Sequence, residues 1–451
     1  MLPYSPDGPG DNYTAGASRP DRRGAFLLLF GCLLLIGAGN TMLITAVLPP
    51  LTRELGFPDW TAGAIFSFSA LLWAVVSPVW GRLSGEWGRR RIVAIGMFGF
   101  SISMALFGFF AWLGRMDVIS YWPLLFVVLL LARSLFGLLG SGANPAAQAY
   151  VADRTTIEER TTEIANLTAG FTLGSALGPA IAAALVVWLG LLSPVWITAV
   201  LAAATGYYVL VKLPEKTLPR AAEVASRKIG DIWKDPKILP YLVFGLGLSL
   251  ISGIMVQTFP YTMMDRMSLE GTTASQFIAA ATTLSAMATL LAQLVLIPRI
   301  QLPTRGLMVA GGALLSLAFA IMITTDSFAI FCLSQILFGL GQGLARPGFM
   351  AGASIAAGPD QQGAIAGLST AVNGAGFVIS PFFGLWMYGN VSGYAPFIIA
   401  VVVCGVMTVY AGLKAAKDDG EGPMPIAAAN DLDPEDAASK DAPKTQQPSR
   451  D

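Results

Sequence analysis

Apolar residues run along this chain in long uninterrupted stretches, and short polar segments between them hold most of the charge. Crossing about 30 Å of hydrocarbon as helix takes about 20 mostly apolar residues, and only helices or closed barrels satisfy their own backbone there. The uninterrupted runs predict twelve helices, at roughly 25–48, 60–80, 92–113, 122–151, 163–189, 194–212, 238–261, 273–296, 305–324, 328–356, 363–389 and 393–413. One polar segment, 213–237, is much longer than the rest and divides the helices six and six. The expected layout is an N-terminal tail 1–23, a six-helix bundle 24–212, a linker 213–237, a second six-helix bundle 238–413, and a tail 414–451 without apolar periodicity that reads as disordered. Within the linker, Arg220 to Trp233 has the composition of a short interfacial helix or of a solvated connection.

The halves repeat one another. Leu135, Phe136, Gly137, Leu138, Ala143 and Pro145 recur 202 positions later as Leu337, Phe338, Gly339, Leu340, Ala345 and Pro347, and the same offset pairs Gly174 with Gly376 and Pro179 with Pro381. A shared offset of this kind marks a duplicated half. Six spans separate the copies, so both enter the membrane in one direction, as parallel repeats about an axis along the membrane normal. The expected fold class is an all-α polytopic membrane protein of twelve transmembrane helices, two six-helix parallel repeats around a central cavity.

Charge assigns the sides. Arg19, Arg22, Arg23, Arg82, Arg89 to Arg91, Arg154, Arg160, Lys212 to Lys237, Arg299, Arg305, Lys414 and Lys417 all fall on one side, whereas the alternate loops carry only Arg53, Arg115 and Arg266. The basic side is expected to be cytoplasmic, with both termini there. Composition agrees with a membrane protein: 54% of residues are hydrophobic and 12% charged, against about a quarter charged in soluble domains. The basic residues are sorted by loop, which excludes a nucleic-acid surface. Histidine is absent and the three cysteines lie in apolar runs without metal-ligand spacing, so no metal, cofactor or enzymatic nucleophile is expected. The first 22 residues lack the apolar core of a cleavable signal.

Polar residues inside the apolar runs are the candidate chemistry. On the fourth helix Arg133, Gly137, Gly140, Asn144 and Gln148 fall at helical spacing on one face; the tenth answers with Gln335, Gly339, Gln342, Arg346 and Met350. An arginine at mid-depth costs about 2.5–3.5 kcal/mol on insertion scales and usually faces the bundle interior or a water-filled cavity. With Asn40, Asn166, Gln257, Gln293 and Asn373, the residues Arg133, Asn144, Gln335, Gln342 and Arg346 are the expected substrate cavity. No Asp or Glu lies in the middle of any predicted helix, so Asp153, Glu163 and Asp265 near the ends are the remaining protonatable candidates. Gly170, Gly174 and Gly178 before Pro179, and Gly376 and Ser380 before Pro381, permit close helix approach and loosen the backbone, as a rocking element would.

The segment Gly81-Arg-Leu-Ser-Gly-Glu-Trp-Gly-Arg-Arg-Arg91 resembles the signature loop of the major facilitator superfamily. Arg133 with Gly137 resembles its fourth-helix motif. Gly174-x-x-x-Gly178-Pro179 and Ala149-Tyr-Val-Ala-Asp153 are similar to the branch of tetracycline and multidrug efflux antiporters. The resemblance implies a conformational role for Gly81, Glu86, Gly88, Arg89, Arg90, Asp153, Gly174, Gly178, Pro179 and Pro381. The chain departs from the family at Gly85, where an Asp is usual, which leaves Glu86 or Asp153 to pair with Arg89 to Arg91. The implied function is secondary transport of a small organic molecule by alternating access, as proton-coupled efflux, through a monomer in a bacterial inner membrane. Two in-span arginines without an acidic partner leave an organic-anion exchanger or uniporter of the same fold as the alternative.

Overall fold

A computed structural model of the chain describes residues 19–155, 157–215, 235–300, 302–324, 326–357 and 362–415. The segment Arg220 to Trp233 and the C-terminal tail from 416 lie outside the described residues. Eleven helices among those described are long and apolar enough to cross a membrane: Arg23–Glu54, Trp60–Trp87, Arg89–Arg115, Trp122–Ala152, Asn166–Leu189, Ser193–Lys212, Leu239–Met267, Gly271–Ile300, Thr304–Thr324, Phe328–Ala357 and Ala395–Lys414. Gln362–Asn390, a helix of 29 residues, lies between the last two and completes the twelve. They are called the first to twelfth spans in chain order. Several overrun the apolar stretches that predicted them. The first continues to Glu54 and the seventh to Met267, placing Arg53 and Asp265 inside helices rather than in loops.

Two buried cores account for most of the packing. One joins residues from Ala25 to Leu213 and takes in Tyr261 and Leu385; the other joins residues from Ile238 to Ala415. Burial between helices in a bilayer cannot rely on excluding water, so close backbone approach matters more, and it falls to glycine. A Cβ on Gly174 would run into the backbone of Leu34 and Ala38 on the first span, and one on Gly178 into the carbonyl of Ala38. Gly376 lies equally close to the backbone of Ser249 and Leu250 on the seventh. Gly137 and Gly339 repeat this logic against the Ser69 carbonyl of the second span and the Ser285 carbonyl of the eighth. The glycines shared by the two halves are thus contact points between neighbouring helices of one half.

Three spans are not regular helices. In the first, Pro49 and Pro50 bring no N–H for the carbonyls of Thr45 and Ala46, and the preceding turn, Met42–Val47, widens to a π-helix. In the eighth, Ala292–Leu296 does the same ahead of Pro298. The fourth breaks most sharply. Its α-helix stops at Leu138, a 3₁₀ turn covers Gly140–Gly142, and helix resumes at Ala143. Gly142 N–H donates to Leu139 O at 3.2 Å instead of to Leu138 O. The freed Leu138 carbonyl accepts the Trp80 indole N–H of the second span at 2.6 Å. The tenth span runs through the matching stretch as one helix, Phe328–Ala357, with Pro347 inside it.

Candidate functional site

The two ends of the helix bundle differ in chemistry. The basic end holds Arg89 to Arg91, Asp153 and Glu215; the far end holds Arg53, Asp59 and Asp265. At the far end the halves are joined. Arg53 pairs with Asp265 of the seventh span, which also accepts the Tyr388 hydroxyl at 2.5 Å, and Arg53 grips Asp59 at 2.9 and 3.1 Å. One turn away, Thr52 and Tyr261 share a hydrogen bond of 2.6 Å between their hydroxyls. Apolar contacts continue the seal: Trp60 and Phe66 of the second span meet Phe382 and Phe377 of the eleventh edge to face. Ser67 Oγ accepts the Phe382 N–H at 3.3 Å, and Ala38, Met42, Ala46 and Ala182 pack on Ala279 of the eighth span.

At the basic end, by contrast, the polar contacts among the described residues stay within one half or the other: Arg305 donates to the Gly412 carbonyl in the second half, and the rest lie in the first half and the start of the linker. Arg89 Nε donates to Asp153 at 3.1 Å, and its guanidinium also reaches Ser84. Glu215 accepts the backbone N–H groups of both Arg89 and Arg90 at 3.0 Å, capping the third span with a carboxylate. Gly88 turns the chain into that cap with φ of 94°, a conformation that a side chain resists, and a Cβ would meet the Glu215 carboxylate. Tyr150 and Arg154 both donate to the Pro214 carbonyl, at 3.0 and 3.2 Å. Glu86, a sequence candidate for this network, is exposed and enters no ion pair among the described residues. Glu215 does that work instead. Its position beyond the sixth span gave no sequence signal of a role here.

Between these ends lie the mid-depth polar residues. Arg133 is 2% exposed. It donates to the Asn40 amide oxygen of the first span and stacks 4.3 Å over the Phe136 ring. Its second terminal nitrogen, Nη1, has no partner among the described residues. Along the fourth span, Gly137 faces the second span and Gly140 lies under Phe136, and beyond the 3₁₀ turn Asn144 bonds Gln148 at 3.1 Å. In the second half, Gln342 donates to Ser252 of the seventh span at 2.6 Å and accepts from Arg346 at 3.4 Å. Among the described residues, Gln257 is fully buried with neither amide atom bonded, and Asn373 Oδ1 is likewise unpaired. Gln335 is buried and Gln293 half-buried. Asn166 stands apart: it is exposed and lines a cleft of about 250 Å³ at the basic end with Arg23, Phe26 and Glu163.

Duplicated halves of six helices, glycine-tight packing within each, and a polar interior closed at one end define a twelve-helix membrane protein with a central crevice. The chain belongs to the Major Facilitator Superfamily, whose model matches residues 29–302 and 271–431, and it is a membrane transporter. Multidrug resistance protein 2 of Bacillus subtilis (strain 168) is 24% identical over 377 residues, covering 81% of this chain and 89% of that protein. Multidrug resistance protein MdtG of Proteus mirabilis (strain HI4320) is 33% identical over 184 residues, 40% of this chain and 42% of MdtG, so that match spans less than half of the relative. The fold also matches the human organic anion transporter MFSD10 with a TM-score of 0.60 and 20% identity, over 87% of this chain and 100% of that one. A bacterial homologue of the human lysosomal transporter Spinster gives a TM-score of 0.69 at 14% identity, over 88% and 97%.

Proposed function

We propose that the protein exports a small organic molecule by alternating access, with the proton gradient as driving force, as a monomer in a bacterial inner membrane. The basic end and both termini face the cytoplasm in this reading. The observation that carries it is the one-sided seal. The polar contacts that join the halves, from Thr52–Tyr261 to Ser67–Phe382, lie in the far half of the bundle, and none joins them at the basic end among the described residues. A crevice closed outside and open inside is the cytoplasm-facing member of a pair of states, and rocking the halves about the mid-depth residues exchanges one for the other. The multidrug resistance relatives support efflux as the direction.

The test is flux in proteoliposomes loaded with fluorescent dyes of either charge. Dye movement is expected to accelerate with an imposed pH gradient and to carry protons in the opposite direction. Flux that ignores the pH gradient yet speeds up when substrate is present on the far side would replace the antiporter with an exchanger.

A further inference from the structure

Among the described residues, two guanidinium groups stand at mid-depth in this bundle, and no carboxylate stands with them. They are not equivalent. Arg133 is sealed off, bonded to Asn40 and stacked on Phe136. Arg346 is half-buried, has no ion pair among the described residues, and makes one long contact of 3.4 Å to the Gln342 amide oxygen. Gln342 is turned toward the seventh span by its bond to Ser252, so the pair sits on the inner side of the second half. Along this stripe of the tenth span, exposure rises from Gln335 at 3% and Gln342 at 8%, through Arg346, to Met350 at 45% near the basic end. Arg346 thus stands between the buried part of this stripe and its exposed end.

We propose that Arg346, braced by Gln342 and Ser252, is a subsite for an anionic group on the transported molecule, a carboxylate, sulfonate or phosphate. The proposal rests on the transport reading and names its substrate class. A guanidinium offers a planar fork of donors that matches such groups two bonds at a time. Its single amide contact leaves most of that fork unused. A cavity wall carrying unneutralised positive charge at low dielectric draws anions in and disfavours cations. The repeat locates this feature in the second half: the position that matches Arg346 is Asn144, which spends its side chain on Gln148.

The test uses purified full-length protein, wild type and the variants Arg346→Gln and Arg346→Lys, with fluorescein as an anionic probe and rhodamine 123 as a cationic probe of similar frame. Fluorescence anisotropy reads binding in detergent, and the same dyes are followed in proteoliposomes. Wild type is expected to bind fluorescein at least about tenfold more tightly than rhodamine 123. Arg346→Gln is expected to lose that preference, and Arg346→Lys to keep its direction at lower affinity, because a point charge lacks the fork. Removing a charge at depth does not hinder insertion, and should Arg346→Gln fail to elute as wild type, the lysine variant carries the comparison. Fluorescein binding unchanged in Arg346→Gln, a wild-type preference for rhodamine 123, or binding of neither dye would overturn the subsite. Arg346-dependent fluorescein binding without flux keeps the subsite and overturns the transport reading; flux of either dye that is indifferent to Arg346 does the reverse.

Discussion

Arg133 is a cation without a counter-charge, held by one amide and one aromatic face. Truncating it removes a buried guanidinium rather than leaving an unmatched carboxylate, so folding is expected to survive while the coupling of the first span to the fourth is lost. Arg133→Ala should therefore appear at near wild-type levels in the membrane with flux reduced by about tenfold or more. Asn40→Ala, which removes only the acceptor, should fall between the two. Proteoliposome flux normalised to inserted protein measures both, and wild-type flux in Arg133→Ala would make the arginine a packing residue. Sequence spacing places this side chain at mid-depth. It could not show that Asn40, 93 positions earlier, is its partner, because nothing local in either helix specifies which neighbour a span will choose.

Helices in this bundle are shaped by where prolines withhold a donor and where glycines admit a neighbour. The 3₁₀ turn at Gly140–Gly142 is the clearest case, since it interrupts the α-helix between Arg133 and Asn144. Helical spacing places residues on one face only while the helix is uninterrupted, and Pro145 is the sequence mark of the interruption. The tenth span keeps its helix through the corresponding Pro347, so the same signal has two outcomes. What separates them is tertiary: the Trp80 indole is present to take the freed Leu138 carbonyl. Packing at Gly174 gives a prediction at this scale. A methyl group there meets the Leu34 backbone, which cannot yield as a flexible side chain would. Gly174→Ala is expected to destabilise the first half by about 1–3 kcal/mol, read as a lower melting temperature in detergent. An unchanged melting temperature would show that the first and fifth spans separate freely.

The whole molecule is held in its present shape by contacts between halves that combine helix packing with a few polar pairs. The Arg53–Asp265 pair is partly exposed, with side chains 27% and 41% accessible, a setting in which ion pairs contribute about 0.2–1 kcal/mol. Closure then rests on the sum of this pair, Thr52–Tyr261, the close fit of the second span on the eleventh and the packing of the first and fifth spans on Ala279, and a seal of that kind can open. Gly63 is its tightest point: a Cβ there would stand 2.5 Å from the Pro381 carbonyl oxygen and 2.9 Å from the Phe382 Cα. Gly63→Val is expected to disfavour the closed far end without disturbing either half's own core. Maleimide labelling from the far side at Thr52→Cys, in a background lacking Cys32, Cys332 and Cys404, should then accelerate by about fivefold or more. Equal labelling rates would place the barrier elsewhere.

Sequence alone determined the twelve spans, the duplication, the polar residues at mid-depth and the family resemblance, because each is written in local composition or in a fixed offset. Hydrocarbon length and backbone satisfaction leave little choice once the apolar runs are long enough. Tertiary structure decided which polar residues meet. It sealed Arg133 behind Asn40 and left Arg346 half-buried, put Glu215 rather than Glu86 at the third span's first turn, and drew Arg53, Asp59, Asp265 and Tyr388 into one cluster between halves. Those pairings join positions 212 residues apart in one case and 126 in another. They depend on how whole helices lie against each other, which no single stretch of chain encodes.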